Sequence, residues 1–354
     1  MTDRVTGALA RGSWRRVLGS TLPILAALVL LAATVGCSAK DAVTTTPEAA
    51  AATAFSETAP VKSGLTSPME DWHHLRQVLG YLKVNRPKRP PIYLLGGSST
   101  RECTINDLNW RRQIVEFGGP GVWAFNLGAS NQSFDYEIAI VRQVPSVPSI
   151  VVIGINIGRY CWKPPAAGLV TKVVLKDEGS AIEPYAQHRF TYDKIANDAK
   201  KRELAYEWLD ERAPQFNEYF RYNAGRLEAL VSLCKQRGFH PVILNMPWNK
   251  DVVGHLHDPY RDRMARNAET IAARYRIPYI DWIPKMDLVS RDFMDNAHLV
   301  EPGRVKYQRR TSLMLVRLLD RYGITTVPPL TSSPSPSSSP SPASSASSSS
   351  PSAP

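Results

Sequence analysis

Ile92-Tyr93-Leu94-Leu95-Gly96-Gly97-Ser98-Ser99-Thr100-Arg101 is an apolar run that ends in two glycines and then three small hydroxyl residues. That order is what a buried strand turning sharply into a helix looks like. Such a turn sets Ser98 at the carboxyl end of a strand and beside the N-terminus of the next helix. Open parallel sheets bind their ligands at that edge, and the helix N-terminus there favours negative charge. A serine so placed is either a nucleophile or an N-cap or turn residue, and the stretch alone leaves both readings open. Asp295-Asn296-Ala297-His298, far downstream, holds what a nucleophile would need.

The strand pattern recurs outward from this point. Val122 to Gly128, Ile150 to Asn156, and two further runs near Pro241 to Asn245 and Pro278 to Asp281 are short, apolar and closed by Gly, Asn or Asp. Buried parallel strands have this form. Helical patterns sit between them. From Phe216 to Arg237, Leu227, Leu230, Val231 and Cys234 fall at helical spacing and Gly238 supplies a stop; a second helix is expected from about Tyr260 to Arg274. Strands alternating with helices predict a doubly wound α/β sheet. The alternation breaks between Asn156 and Phe216, where Pro164-Pro165, a candidate strand at Leu169 to Leu175 and a charged run from Asp193 to Arg212 come one after another. This segment, about residues 158–215, is read as a lid-like insertion over the site.

The chain has 354 residues, of which 43% are hydrophobic, enough for a packed core. Residues 68–328 are expected to form one α/β domain. Ahead of it, Arg4, Arg11, Arg15 and Arg16 precede an uncharged run from Val17 to Gly36, which reads residues 1–36 as an export signal or membrane segment. Thr34-Val35-Gly36-Cys37 resembles the lipobox of bacterial lipoproteins, which implies lipidation of Cys37. The alternative is an uncleaved helical anchor, since the run is long enough to span a bilayer. Both put the domain outside the cytoplasm and at the membrane. Residues 37–67 read as a flexible tether. Residues 329–354 are almost entirely Ser, Pro and Ala without charge, a composition that does not fold, and serve as a spacer or a disordered tail.

The net charge of +11 is spread among acids rather than gathered in a block or stripe, which argues against nucleic acid as a partner. It suits anionic lipid headgroups or acidic envelope polymers as well as a plain solvated surface. Gly96-Gly97 lacks the downstream glycines of a dinucleotide loop. His255-Leu256-His257-Asp258 and His73-His74 lack a metal-site spacing, so surface histidines are expected there, with no metal and no cofactor.

Ester hydrolysis by serine needs a nucleophile, a base, a group that orients the base and donors for the oxyanion. In Asp295-x-x-His298 the spacing lets the carboxylate reach the imidazole within one turn. Gly96-Gly97-Ser98, Asn126-Leu127-Gly128, Gly154-Ile155-Asn156 and Asp295-x-x-His298 occur in the order, and at the strand ends, of the four sequence blocks of the SGNH (GDSL-like) hydrolase superfamily. The chain resembles that superfamily from roughly Pro90 to Tyr307. The resemblance implies a three-layer, flavodoxin-like sheet with Ser98 as nucleophile, His298 as base and Asp295 as its orienter. It also implies an oxyanion hole made by the backbone N-H groups of Ser98 and Gly128 and the side-chain amide of Asn156.

Gly97 stands where the first block often has Asp, and Ile157 where the third often has a second polar residue. Ser99 is the alternative nucleophile. The run His298-Leu299-x-x-x-Gly303-x-x-x-Tyr307 resembles the segment after the catalytic His in extracytoplasmic acyl-transfer members, with Leu299 and Tyr307 read as packing. Arg101 either meets an anionic substrate group or makes a structural ion pair. Because the first and third strands are neighbours in the superfamily, the resemblance also implies a Cys103 to Cys161 disulfide. That leaves Cys234 as a buried free thiol on its helix's apolar face.

The function expected from this reading is a membrane-tethered serine esterase that removes a small acyl group, such as acetyl, from an envelope glycan or related ester. Two alternatives stand beside it. One is an O-acyltransferase using the same residues, with a sugar hydroxyl in place of water and a membrane partner delivering the acyl group; the other is a catalytically inactive glycan-binding lipoprotein.

Overall fold

Ile92–Leu95 is buried at all four positions and forms β1 of a computed structural model that describes residues 68–174 and 194–324. The expected signal segment, Cys37, the tether, residues 175–193 of the insertion and the Ser/Pro/Ala tail lie outside the described residues. β2 (Ala124–Asn126), β3 (Ile150–Ile155), β4 (His240–Asn245) and β5 (Tyr279–Ile280) complete one sheet in the order β2-β1-β3-β4-β5. Every pairing is parallel. The chain starts in the middle of the sheet, steps to one edge and then returns past β1. The switch point therefore lies between β1 and β3, where open α/β sheets form their binding crevice.

The described helices run in chain order: α1 (Pro68–Val84), α2 (Ser98–Arg101), α3 (Asp107–Glu116), α4 (Phe134–Gln143), α5 (Leu169–Val174), α6 (Asp198–Glu207), α7 (Ala213–Gln236), α8 (Lys250–Val253), α9 (Asp258–Tyr275) and α10 (Glu301–Arg321). Alternate strand residues face opposite layers. Tyr93, Leu95, Phe125, Val151 and Ile153 pack with α1, α4, α7 and α9, whereas Ile92, Leu94, Ala124, Ile150 and Val152 pack with α3 and α10. Coverage on both faces explains why the strands read as unbroken apolar runs. Local signals fix the helix ends. Asn106 caps α3 by accepting from the Asn109 N-H at 2.8 Å, and Gly238, with φ of +73°, ends the run out of α7.

Two expectations are corrected here. The strand expected at Leu169 to Leu175 is not found in its described part: Leu169–Val174 is α5, with only Val174 buried. A helix satisfies its own backbone hydrogen bonds, which a strand lying away from the sheet edges would leave open. The Cys103 to Cys161 disulfide does not form, and both thiols are free and buried. Although β1 and β3 are neighbours, Cys103 packs in the layer of α3 and α10 and Cys161 in the layer of α7, on opposite sides of the sheet. Cys234 is a buried free thiol on the apolar face of α7. Among the described residues no helix is long and apolar enough to cross a membrane.

Candidate active site

The turn after β1 is built on contact distance. A Cβ on Gly96 would fall 1.9 Å from Thr100 Oγ1, so a side chain there would stop α2 from folding back on the strand end. Gly97 caps α2, its carbonyl accepting from the N-H groups of Thr100 at 3.0 Å and Arg101 at 3.1 Å. Ser98 opens the helix and stays partly accessible, whereas Ser99 is buried.

The loop before α10 brings the base. His298 Nε2 lies 2.8 Å from Ser98 Oγ, and His298 Nδ1 lies 2.7 Å from Asp295 Oδ2. A carboxylate only accepts, so Nδ1 carries the proton and Nε2 presents its lone pair to the serine hydroxyl. Asp295 Oδ1 accepts the N-H groups of Ala297 at 2.8 Å and His298 at 2.9 Å. Burial pushes the Asp295 carboxyl up, but the attraction of His298 and the hydrogen bonds from its ring and from these two amides outweigh it and hold the group below its ordinary value. The loop is braced from outside as well. Met294 N-H donates to His298 O, Ala196 N-H donates to Met294 O, and the Asn249 N-H donates to Asn296 O. Buried Lys201 of α6 reaches the same loop, its Nζ donating to Ser290 O at 2.7 Å. Leu299 and Tyr307 are packing residues as expected, the Tyr307 hydroxyl donating to Asn245 O.

Asn156 ends β3 and caps the 3-10 turn Ile157–Cys161. Its Oδ1 accepts the Arg159 N-H at 3.1 Å, which leaves Nδ2 to point at the N-terminus of α2, donating to Ser99 Oγ at 2.6 Å. Arg159 is itself fixed: Nη1 donates to Gly154 O, Nη2 stands 2.9 Å from Glu137 Oε1, and the guanidinium lies 4.3 Å from the centre of the Phe134 ring. Ser98, His298, Asp295 and Asn156 are thus brought together. Four sequence blocks converge at one sheet edge, three of them at the ends of β1, β2 and β3 and one in the loop before α10. The open parallel α/β sheet is the fold class expected from the sequence.

Within that site, several sequence expectations change. Gly128 does not face the cavity: its N-H donates to Asn126 Oδ1 at 3.0 Å, and a Cβ there would lie 2.6 Å from Arg101 N. The glycine is required by the backbone of α2 rather than by a substrate. Asn131, in a left-handed backbone conformation with φ of 58°, lines the cavity instead. Asn among polar and small neighbours is the residue most tolerant of that conformation after Gly, and this is the signal the sequence offers for it. Arg101 is buried, 3.8 Å from Glu102, and belongs to the structural reading. His73 and His255 are exposed as expected. His74 is largely buried, 3.4 Å from buried Asp107, because α1 packs against the sheet. His257 is buried too; it lines the cavity and donates Nε2-H to Ala205 O. Burial holds its pKa below the ordinary value and so keeps it neutral. No group of three potential metal ligands occurs among the described residues.

The cavity above Ser98 has a volume of 310 Å³. Beyond the expected residues it is walled by Trp162, Trp208, Trp248, Arg212 and Arg261. Trp208 and Arg212 bound a π-helical turn between α6 and α7, so this part of the insertion supplies part of the wall. No spacing rule marks these residues in sequence, since they come from four separate segments: the turn after β3, the π-helical turn, the loop after β4 and helix α9.

No protein-family model and no curated relative matches the sequence. Among solved structures, the chain is similar to a lipase/acylhydrolase from Enterococcus faecalis, with 14% identity over 66% of this chain and 96% of the other and a TM-score of 0.35. It is also similar to a GDSL-like lipase from Bacteroides thetaiotaomicron, with 14% identity over 71% and 99% and a TM-score of 0.37. A catalytic mutant of an acetylxylan esterase from Geobacillus stearothermophilus gives 15% identity over 64% and 94%, with a TM-score of 0.38.

Proposed function

We propose that this protein is a serine ester hydrolase in which Ser98, His298 and Asp295 act as nucleophile, base and orienting carboxylate. The observation that carries the reading is the unbroken chain Asp295 to His298 at 2.7 Å and His298 to Ser98 at 2.8 Å, opening into a cavity. Ser98 Oγ attacks the ester carbonyl as His298 Nε2 takes its proton, and the imidazolium is stabilised by the Asp295 carboxylate. The oxyanion forms beside the N-terminus of α2, where the Ser98 N-H and the Asn156 side-chain amide serve as donors. His298 then returns its proton to the leaving alcohol. The same residue activates water against the acyl-enzyme, releasing the acid and restoring Ser98.

The substrate proposed is a small acyl ester, such as an acetyl group on an envelope glycan. The domain of residues 68–328 would be held outside the cytoplasm through Cys37 or an N-terminal helix. The SGNH-type fold and the aromatic walls of the cavity support an ester substrate with an apolar or carbohydrate face.

Intact-mass analysis after treatment with a fluorophosphonate tests the reading. One adduct on the wild-type protein is expected, retained in Ser99→Ala, absent in Ser98→Ala and slowed in His298→Ala. Folded wild-type protein that takes no adduct would overturn it. Release of free acetate into water, against transfer to added glycan, separates hydrolysis from acyl transfer.

A further inference from the structure

Of the 24 residues lining the cavity none is Asp or Glu, while three are arginines: Arg159, Arg212 and Arg261. Two of these are matched by acids set behind the wall. Arg159 stands 2.9 Å from buried Glu137, and Arg261 pairs with Asp258 while donating to Gly254 O. Arg212 differs. Its Nη1 donates to Gln215 Oε1 at 3.1 Å, and no carboxylate pairs with it among the described residues.

Arg212 is nevertheless held in place. Its guanidinium lies 5.3 Å from the centre of the Trp162 ring, and it terminates the π-helical turn that begins at Trp208. Trp208 is locked in turn, with ring centres 4.6 Å from His257 and 5.0 Å from Tyr260. A half-buried cation that lies over a ring, is oriented and among the described residues pairs with no carboxylate can receive an anion, its ordering cost already met by its neighbours. His257, held neutral by burial, adds no second positive charge beside Arg212. Neutral acyl esters would use the tryptophan walls and leave this guanidinium idle.

We infer that Arg212 is the anion subsite of the cavity, so that the protein selects esters carrying a carboxylate or phosphate on the acyl or the alcohol half. This rests on the hydrolase reading above. The anion would pair with the Arg212 guanidinium while the ester carbonyl sits at Ser98 and the intervening atoms lie against Trp162 and Trp208. Arg212 is a binding residue; it takes no proton and forms no bond to the reacting atoms.

Two matched pairs of probes test this on the full chain. For the acyl half they are mono(4-nitrophenyl) glutarate and its methyl ester, and for the alcohol half 4-acetoxybenzoate and its methyl ester. Within each pair the members differ by the charge and one methyl group, and comparing wild type with Arg212→Gln cancels intrinsic reactivity. In one pair the anionic-to-neutral ratio of kcat/KM should fall by roughly tenfold or more in Arg212→Gln, as loss of a charge-assisted hydrogen bond implies. Arg212→Lys should keep part of it, and added salt should lower the wild-type ratio. The pair that responds tells which half bears the anion. A ratio unchanged in both pairs overturns the inference, as does an equal fall of both members, which is the mark of a purely structural role. Should wild type cleave neither pair, the hydrolase reading fails by itself. Calorimetry of the acetoxybenzoate pair on Ser98→Ala, with and without Arg212→Gln, then decides the subsite: a carboxylate preference lost with Arg212 supports it, and equal or absent binding overturns it.

Discussion

His298 Nε2 and Ser98 Oγ stand 2.8 Å apart although 200 residues separate them in the chain. Nothing local holds them together. Ser98 is fixed by the two-glycine turn off β1, and His298 by a loop whose amides grip Asp295 from one side. The pairing is therefore a product of the whole sheet, and the sharpest prediction concerns it. Ser98→Ala and His298→Ala should each lower kcat for a simple acetyl ester by on the order of 10⁴ or more, and the double variant should cost little beyond either single one. Asp295→Asn should approach the same loss, since an amide can hold His298 in the wrong tautomer. Additive losses in the double variant would show that the two residues do not act as a unit.

Asn156 and Gly128 should separate under mutation, although the sequence pattern makes oxyanion donors of both. Asn156→Ala removes an amide aimed at the N-terminus of α2 and should lower kcat by about 10² to 10³ with the fold intact. Gly128→Ala instead pushes a methyl group into Arg101 N and Cα, at 2.6 and 3.0 Å. It should destabilise the protein by about 1 to 3 kcal/mol, as overpacking does. Thermal unfolding and steady-state kinetics on both variants check this, and an Asn156→Ala protein with unaltered kcat would remove the side-chain amide from the mechanism.

The thiols give a quick test of packing. Cys103, Cys161 and Cys234 are buried and free, so an alkylating reagent should modify none of the three in the folded protein. In denaturant without reductant it should modify all three. Two that become reactive only after reduction would restore the disulfide.

Legibility in sequence differs from residue to residue for physical reasons. The strand ends are legible because a parallel sheet buried on both faces leaves unbroken apolar runs closed by Gly or Asn, and Ser98 and Asn156 are located from those ends, whereas Asp295 and His298 are read from their own spacing. The disulfide fails because proximity of two strands says nothing of which face each ensuing loop takes; Cys103 and Cys161 go to opposite layers. Gly128 fails for a related reason. Glycine marks a close approach, and the partner is the Arg101 backbone rather than a ligand. Trp162, Trp208, Trp248, Arg212 and Arg261 converge from separate segments of the chain through tertiary packing, which no periodicity records. His257 reads as a surface residue because only α9 and the insertion together enclose it.

Glu137 gives the stability of this protein a pH dependence of unusual sign. Burial pushes its carboxyl up to about 7, and the neighbouring Arg159 offsets only part of that shift. In the unfolded chain the group has a value of about 4.3, so the folded state holds the proton more tightly. The stabilisation from this group is fully present below about pH 4.3 and is lost as pH rises toward 7. Asp295 works the other way, its contribution being lost only as pH falls through its depressed folded value. Between pH 5 and pH 8 the Glu137 effect therefore dominates this comparison, at up to about 3 kcal/mol by linkage. Glu137→Gln mimics the protonated form and should match wild type in urea midpoint at pH 5 while exceeding it at pH 8. Equal slopes of stability against pH in the two proteins would mean that Glu137 stays ionised against Arg159 throughout, and that the pair behind Asn156 is a permanent ion pair.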